Sequence, residues 1–205
     1  MKPGPFITLF ALLARVDEKT LAVHARALRD AGVLDKGGRG RSAIEVDHVY
    51  LAKLLTSRMA TDKPARAVEA YRRFEGMQLS RSNGHRLVKS ILPDPDHKLI
   101  DFMTAICDPA NRLPAASEFE VRFDGSAMVT VRTGKSVLMY MDRNWIESGM
   151  DALRAAAGDD AAVQNALSHA AFSENSLLGI VESRSFTSTW LQSLKSVVFP
   201  IGADK

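Results

Sequence analysis

Two short stretches carry residue types that can do chemistry on a polyanion. The first is Lys19-Thr-Leu-Ala-Val-His-Ala-Arg26. Leu21, Ala25 and Leu28 recur at i, i+4 and i+7, which is the spacing of one apolar helical stripe. At about 100° per residue the opposite side then carries Lys19, Val23, Arg26 and Asp30, flanked by Thr20. Residues at a helix N-terminus reach base edges in a DNA groove, while Arg and Lys farther along hold phosphates. The second stretch is Asp35-Lys-Gly-Gly-Arg-Gly-Arg41. Gly37, Gly38 and Gly40 let the backbone approach a surface closely, and Lys36, Arg39 and Arg41 supply charge. Arg set between glycines can also enter a minor groove. Lys19, Thr20, Val23, Arg26, Lys36, Arg39 and Arg41 are therefore the candidate DNA-binding residues.

The remaining reactive residue types do not assemble into a catalytic pattern. Gly37 to Gly40 lacks the Gly-x-x-x-x-Gly-Lys-Ser/Thr phosphate loop, and Gly134-Lys135-Ser136 reads as a hairpin turn without the preceding glycine. His24, His48, His85, His97 and His169 show neither His-x₃-His nor His-Glu-x-x-His spacing. His24 lies beside the apolar stripe and reads as a packing or phosphate-contacting residue. Asp94, Asp96 and His97 alternate with prolines in a linker-like stretch, and Cys107 sits in an apolar helix as a small core residue. No nucleophile elbow surrounds Ser183, Ser185 or Ser188. The expectation is a protein that is not an enzyme, with no cofactor and no metal. In Tyr71-Arg72-Arg73-Phe74 the aromatics have core spacing and the arginines face outward. Arg81, His85, Arg86 and Lys89 read either as a second backbone-contacting segment or as a solvated linker.

These residues must be positioned by a recognisable run of elements. Phe6 to Arg15 reads as a short buried helix, with Pro5 tolerated at its first turn. Asp17 is the N-cap expected for Glu18 to Ala31, with Gly32 as the left-handed stop. Val33-Leu34 is an extended pair, Ser42 to Val46 a short strand, and Asp47 caps a helix to about Met59. Pro64 starts another helix that ends near Gly76, its apolar face being Ala67, Val68, Tyr71 and Phe74. Turn formers dominate 77–98, with a short helix at Leu87 to Leu92. Leu99 to Cys107 is helical. Phe119–Phe123, Met128–Arg132 and Ser136–Met141 alternate apolar and polar residues as a three-stranded meander, with Asp124-Gly125 as a turn. Helices follow at Trp145–Ala157 and Asp160–Phe172, a fourth strand at Leu177–Ser183, and a last amphipathic helix at Thr187–Val198.

The order helix, capped helix, strand, Gly-Arg-rich turn, strand resembles winged helix-turn-helix DNA-binding domains of the mercury-resistance-regulator (MerR) and excisionase type. The resemblance rests on Lys19-Thr-Leu-Ala-Val-His-Ala-Arg-Ala-Leu-Arg-Asp-Ala-Gly-Val-Leu34 followed by Gly37-Gly-Arg-Gly-Arg41, and covers about residues 5–76. Similar arrangements occur in phage control proteins and in small terminase subunits. It implies a helix in the major groove and a basic wing on the backbone. An aromatic-rich recognition helix is replaced here by Ala-rich sequence.

Composition sets the remaining bounds. The chain has 205 residues, 46% hydrophobic and 25% charged, a globular balance. Its longest early apolar run, Phe6–Leu13, falls far short of the about 20 residues a membrane helix needs. No signal-peptide pattern is present, and the single Cys107 excludes an internal disulfide. The expected location is the cytoplasm, without membrane association. Residues 1–98 carry 18 Lys+Arg against 11 Asp+Glu, whereas 99–205 carry 9 against 13. A basic front joined to an acidic back fits a DNA-contacting module attached to a module that pairs with protein. The expected fold is α+β. A mainly helical winged helix-turn-helix occupies 1–76, a linker 77–98, and a small antiparallel sheet with helices 99–205. The expected function is sequence-specific DNA binding in transcriptional regulation of phage, prophage or mobile-element type. Expected partners are double-stranded DNA and a homo-oligomer, a dimer in the first place, with a protein contact through the C-terminal part. The alternatives are a ring-forming packaging subunit and a protein-interaction or inhibitor module that does not bind DNA.

Overall fold

The computed structural model describes residues 1–36, 44–83, 96–114, 119–124, 128–133, 136–142 and 184–200. Helix α1 (Pro3–Ala14) has proline in its first turn, where the missing N–H costs nothing. It ends in a Schellman motif: Val16 N–H donates to Ala11 O at 3.0 Å and Arg15 N–H to Leu12 O at 3.3 Å. Helix α2 (Glu18–Asp30) is capped by Asp17, whose carboxylate accepts from Thr20 N–H at 2.7 Å. Gly32, at φ +73°, closes α2 with a second Schellman motif, Val33 N–H donating to Leu28 O at 2.9 Å. Asp47 likewise caps α3 (His48–Ala60) through Tyr50 N–H at 2.7 Å. A 3₁₀ turn at Pro64–Arg66 leads into α4 (Ala67–Glu75).

Helix α3 is the hub of the helical region. Tyr50, Leu51, Ala52, Leu54, Leu55, Thr56 and Ser57 are all buried, so it is enclosed on several sides. It packs against α4 and against α5 (Leu99–Cys107).

Among the described residues the sheet has five antiparallel strands in the order β1-β4-β3-β2-β5. These are β1 (Gln78–Asn83), β2 (Phe119–Asp124), β3 (Met128–Thr133), β4 (Ser136–Met141) and β5 (Arg184–Thr187). The central meander follows the expected alternation. Val121, Phe123, Val129, Val131, Leu138 and Tyr140 are buried on one face, while Arg122 and Arg132 point to the other and are exposed. Phe123 stacks on Phe74 of α4 at 5.5 Å between ring centroids, and Tyr140 on Phe102 of α5 at 5.6 Å. The last helix, α6 (Ser188–Val198), returns to α1, with Trp190 edge-on to Phe10 at 5.8 Å.

Four stretches differ from expectation. The described part of the expected strand Ser42–Val46, residues 44–46, is not a strand, and neither is the expected extended pair Val33-Leu34. Val46 N–H instead donates to Met1 O at 2.8 Å. Residues 78–83, within the stretch read as a linker, form the edge strand β1 paired with β4. The strand that follows the central meander is Arg184–Thr187, pairing with β2, while Leu177–Ser183 lies outside the described residues. The expected helices at Leu87–Leu92, Trp145–Ala157 and Asp160–Phe172 lie outside them too.

Candidate nucleic-acid interface

Helix α2 has two faces with different tasks. Leu21, His24, Ala25 and Leu28 are buried against the rest of the bundle. Lys19, Thr20, Val23, Arg26 and Asp30 are exposed, Val23 by 51%. The structure thus brings Lys19, Val23 and Arg26 together on one solvent-facing side. Thr20 adjoins them, but its hydroxyl donates to the Asp17 carboxylate at 2.8 Å and completes the cap. It can offer a partner its methyl group and its oxygen lone pairs. The Thr20 N–H and hydroxyl together hold the Asp17 carboxyl below its ordinary range.

A hydrogen-bonded chain fixes the rotation of this helix. His24 Nε2 lies 2.8 Å from Ser57 Oγ, and Ser57 Oγ donates to Ala67 O at 2.8 Å. The serine has a single proton and gives it to the carbonyl, so His24 must carry its proton on Nε2. Its Nδ1 is then a buried acceptor without a hydrogen-bond partner. Burial first, and the Arg58 guanidinium second, push the His24 pKa down to about 4. Hence His24 is a neutral packing residue, fully removed from solvent, and does not contact phosphate. The sequence placed it beside the stripe but held no signal for Ser57, which lies 33 residues away.

The approach to the Gly-Arg stretch is also anchored. Lys53 of α3 donates to Val33 O at 3.0 Å, just beyond the end of α2, and Val33 and Leu34 are buried. Lys36 follows and is exposed. Arg39 and Arg41 lie outside the described residues, as do Gly37, Gly38 and Gly40.

Elsewhere, Tyr71 and Phe74 are buried while Arg72 is exposed and Arg73 pairs with Asp142 at 3.8 Å. His97 is buried, with Nε2 2.7 Å from the Tyr140 hydroxyl, and Asp96 is exposed. Asp94, His85, Arg86 and Lys89 lie outside the described residues. Cys107 is fully buried, which pushes its thiol up to about 12. Among the described residues no cluster of three or more His, Cys, Asp or Glu can hold a metal, and no helix is long and apolar enough to cross a membrane. Comparison with protein-family models, curated proteins and solved structures finds no match for this chain.

Proposed function

We propose that the protein binds double-stranded DNA in transcriptional control, as a winged helix-turn-helix protein of phage or mobile-element type. Lys19, Thr20, Val23 and Arg26 would meet the major groove, and Lys36, Arg39 and Arg41 the backbone or minor groove. The observation that carries this reading is the exposed row Lys19, Val23, Arg26 on a helix whose other face is locked into the bundle. A rigid, capped helix loses little freedom on docking, which is what groove insertion requires. The anchored turn at Val33 then leads straight into the basic stretch beginning at Lys36. A homo-oligomer, a dimer in the first place, would double the half-sites read.

The test is fluorescence anisotropy of a random duplex at several salt concentrations, with light scattering for the assembly state. The double variant Lys19→Ala/Arg26→Ala is expected to weaken binding and to flatten the log–log salt slope by about 1, the lost phosphate contact being that of Arg26. An unchanged slope would remove α2 from the interface. Val23, half-exposed at the centre of the same face, favours a protein partner as the second reading. Absence of DNA binding at low salt would put that reading first.

A further inference from the structure

A groove of about 500 Å³ opens where the ends of α1 and α3 meet β5 and the start of α6. Its size is that of an ordinary small-molecule site. The apolar part of its wall comes from Phe10, Leu13, Leu55, Phe186 and Trp190. Trp190 is fixed there by Nε1–H donating to Leu13 O at 3.0 Å and by edge or tilted contacts with Phe10 and Phe186. Three arginines, Arg15, Arg58 and Arg184, complete the lining.

No acidic residue lines the groove among the described residues, although Asp62 pairs with Arg184 beside it. Arg184 is tied to Asp62 at 3.5 Å and to Met59 O at 3.4 Å. Arg58 is half-buried and donates to Thr61 O at 3.2 Å, but no carboxylate among the described residues lies within ion-pair distance of it. Burial first, and the positive charge of Arg184 second, disfavour its charged form, and the Asp62 carboxylate opposes them in part. The Asp62 carboxylate offsets part of the repulsion between Arg58 and Arg184, and a further anion in the groove would relieve more of it. Arg15, exposed at the end of α1, also lines the groove. It takes the left-handed conformation, φ 53°, at a helix end where glycine is the unstrained choice. The Schellman motif that closes α1 accounts for that conformation.

We infer that this groove binds a small organic oxyanion, a carboxylate or phosphate monoester carried on a compact apolar body. The hydrocarbon lies against Phe186 and Trp190, and the anion is held by Arg15 and Arg58 as forked donors. The site is separate from the exposed face of α2 and stands or falls without any nucleic acid.

The experiment is calorimetric titration of the full chain with 2-naphthoate, 2-naphthyl phosphate and the uncharged 2-naphthalenemethanol. At least one anion is expected to bind once per chain, at least tenfold more tightly than the alcohol. Arg15→Gly is expected to weaken it at least tenfold while the ligand-free melting temperature holds or rises. Arg58→Gln is expected to weaken it similarly and serves as the second variant. Binding of none of the three, equal binding of the alcohol, or full affinity in both variants overturns the inference.

Discussion

At the scale of single residues, His24 and Arg15 make opposite demands on stability. His24 is neutral in the folded protein because its pKa falls from 6.5 to about 4. The unfolded chain therefore binds more protons between those values, and stability must fall as pH drops from about 6.5 towards 4. The full displacement corresponds to up to about 3 kcal/mol. Urea midpoints measured from pH 7 to pH 4 are expected to show this loss, and His24→Gln, which keeps a donor for Ser57, should flatten it by at least half. The Asp17 carboxyl acts lower on the scale. Its pKa is depressed below 3.8, so the stability it lends is present above that value and is lost as pH falls through the lowered one. Arg15→Gly works the other way: relieving a left-handed non-glycine residue should raise stability by about 0.5–1 kcal/mol, read as a higher melting temperature. The sequence marks Arg15 only as the residue closing an apolar run. Neither Arg58 nor Arg184 lies within helical spacing of it, so periodicity cannot show that the three line one groove.

At the scale of elements, legibility followed local chemistry. Helices α2 and α3 were readable because Asp17, Gly32 and Asp47 announce their ends through short-range bonds. The meander was readable because one of its faces is buried and the other solvated. Strand β1 was not, because Gln78-Leu-Ser-Arg-Ser-Asn83 has a single apolar residue, and its register shifts between Leu79 and Arg81. Its structure comes from pairing with β4, a partner more than fifty residues away that its own composition does not mention. Polar, bulged edges of this kind also resist pairing with other chains. The junction of α5 and α6 was equally hidden. Lys195 is buried, and its ammonium donates to Ile106 O at 3.2 Å and Asn111 O at 2.9 Å, at the negative end of α5. Lys195→Met keeps the apolar stem but leaves those carbonyls without the cation, and is expected to cost about 2 kcal/mol in chemical denaturation. Asp17→Ala should lower the urea midpoint by removing the cap at the front of the α2 face.

At the scale of the whole molecule, buried residues from Phe6 to Val198 belong to one continuous hydrophobic cluster. Phe74 and Phe123 join the helical region to the sheet, and Trp190 joins the last helix to the first. Unfolding is therefore expected as one cooperative transition, with intrinsic fluorescence and far-ultraviolet circular dichroism giving coincident midpoints. Two separated transitions would instead support independent units at 1–76 and 99–205. The charge asymmetry between the two parts was plain in the composition, whereas the contacts that join them depend on residues far apart in the chain. The bond between Trp190 and Leu13 spans 177 positions. A ribosome adding about 5–20 residues per second needs roughly 10–35 s to synthesise that interval. Throughout that delay Phe10 lacks its tryptophan neighbour, and the first helix emerges with that contact still unmade. The contact between the first and last described helices therefore cannot form until Trp190 has left the ribosome.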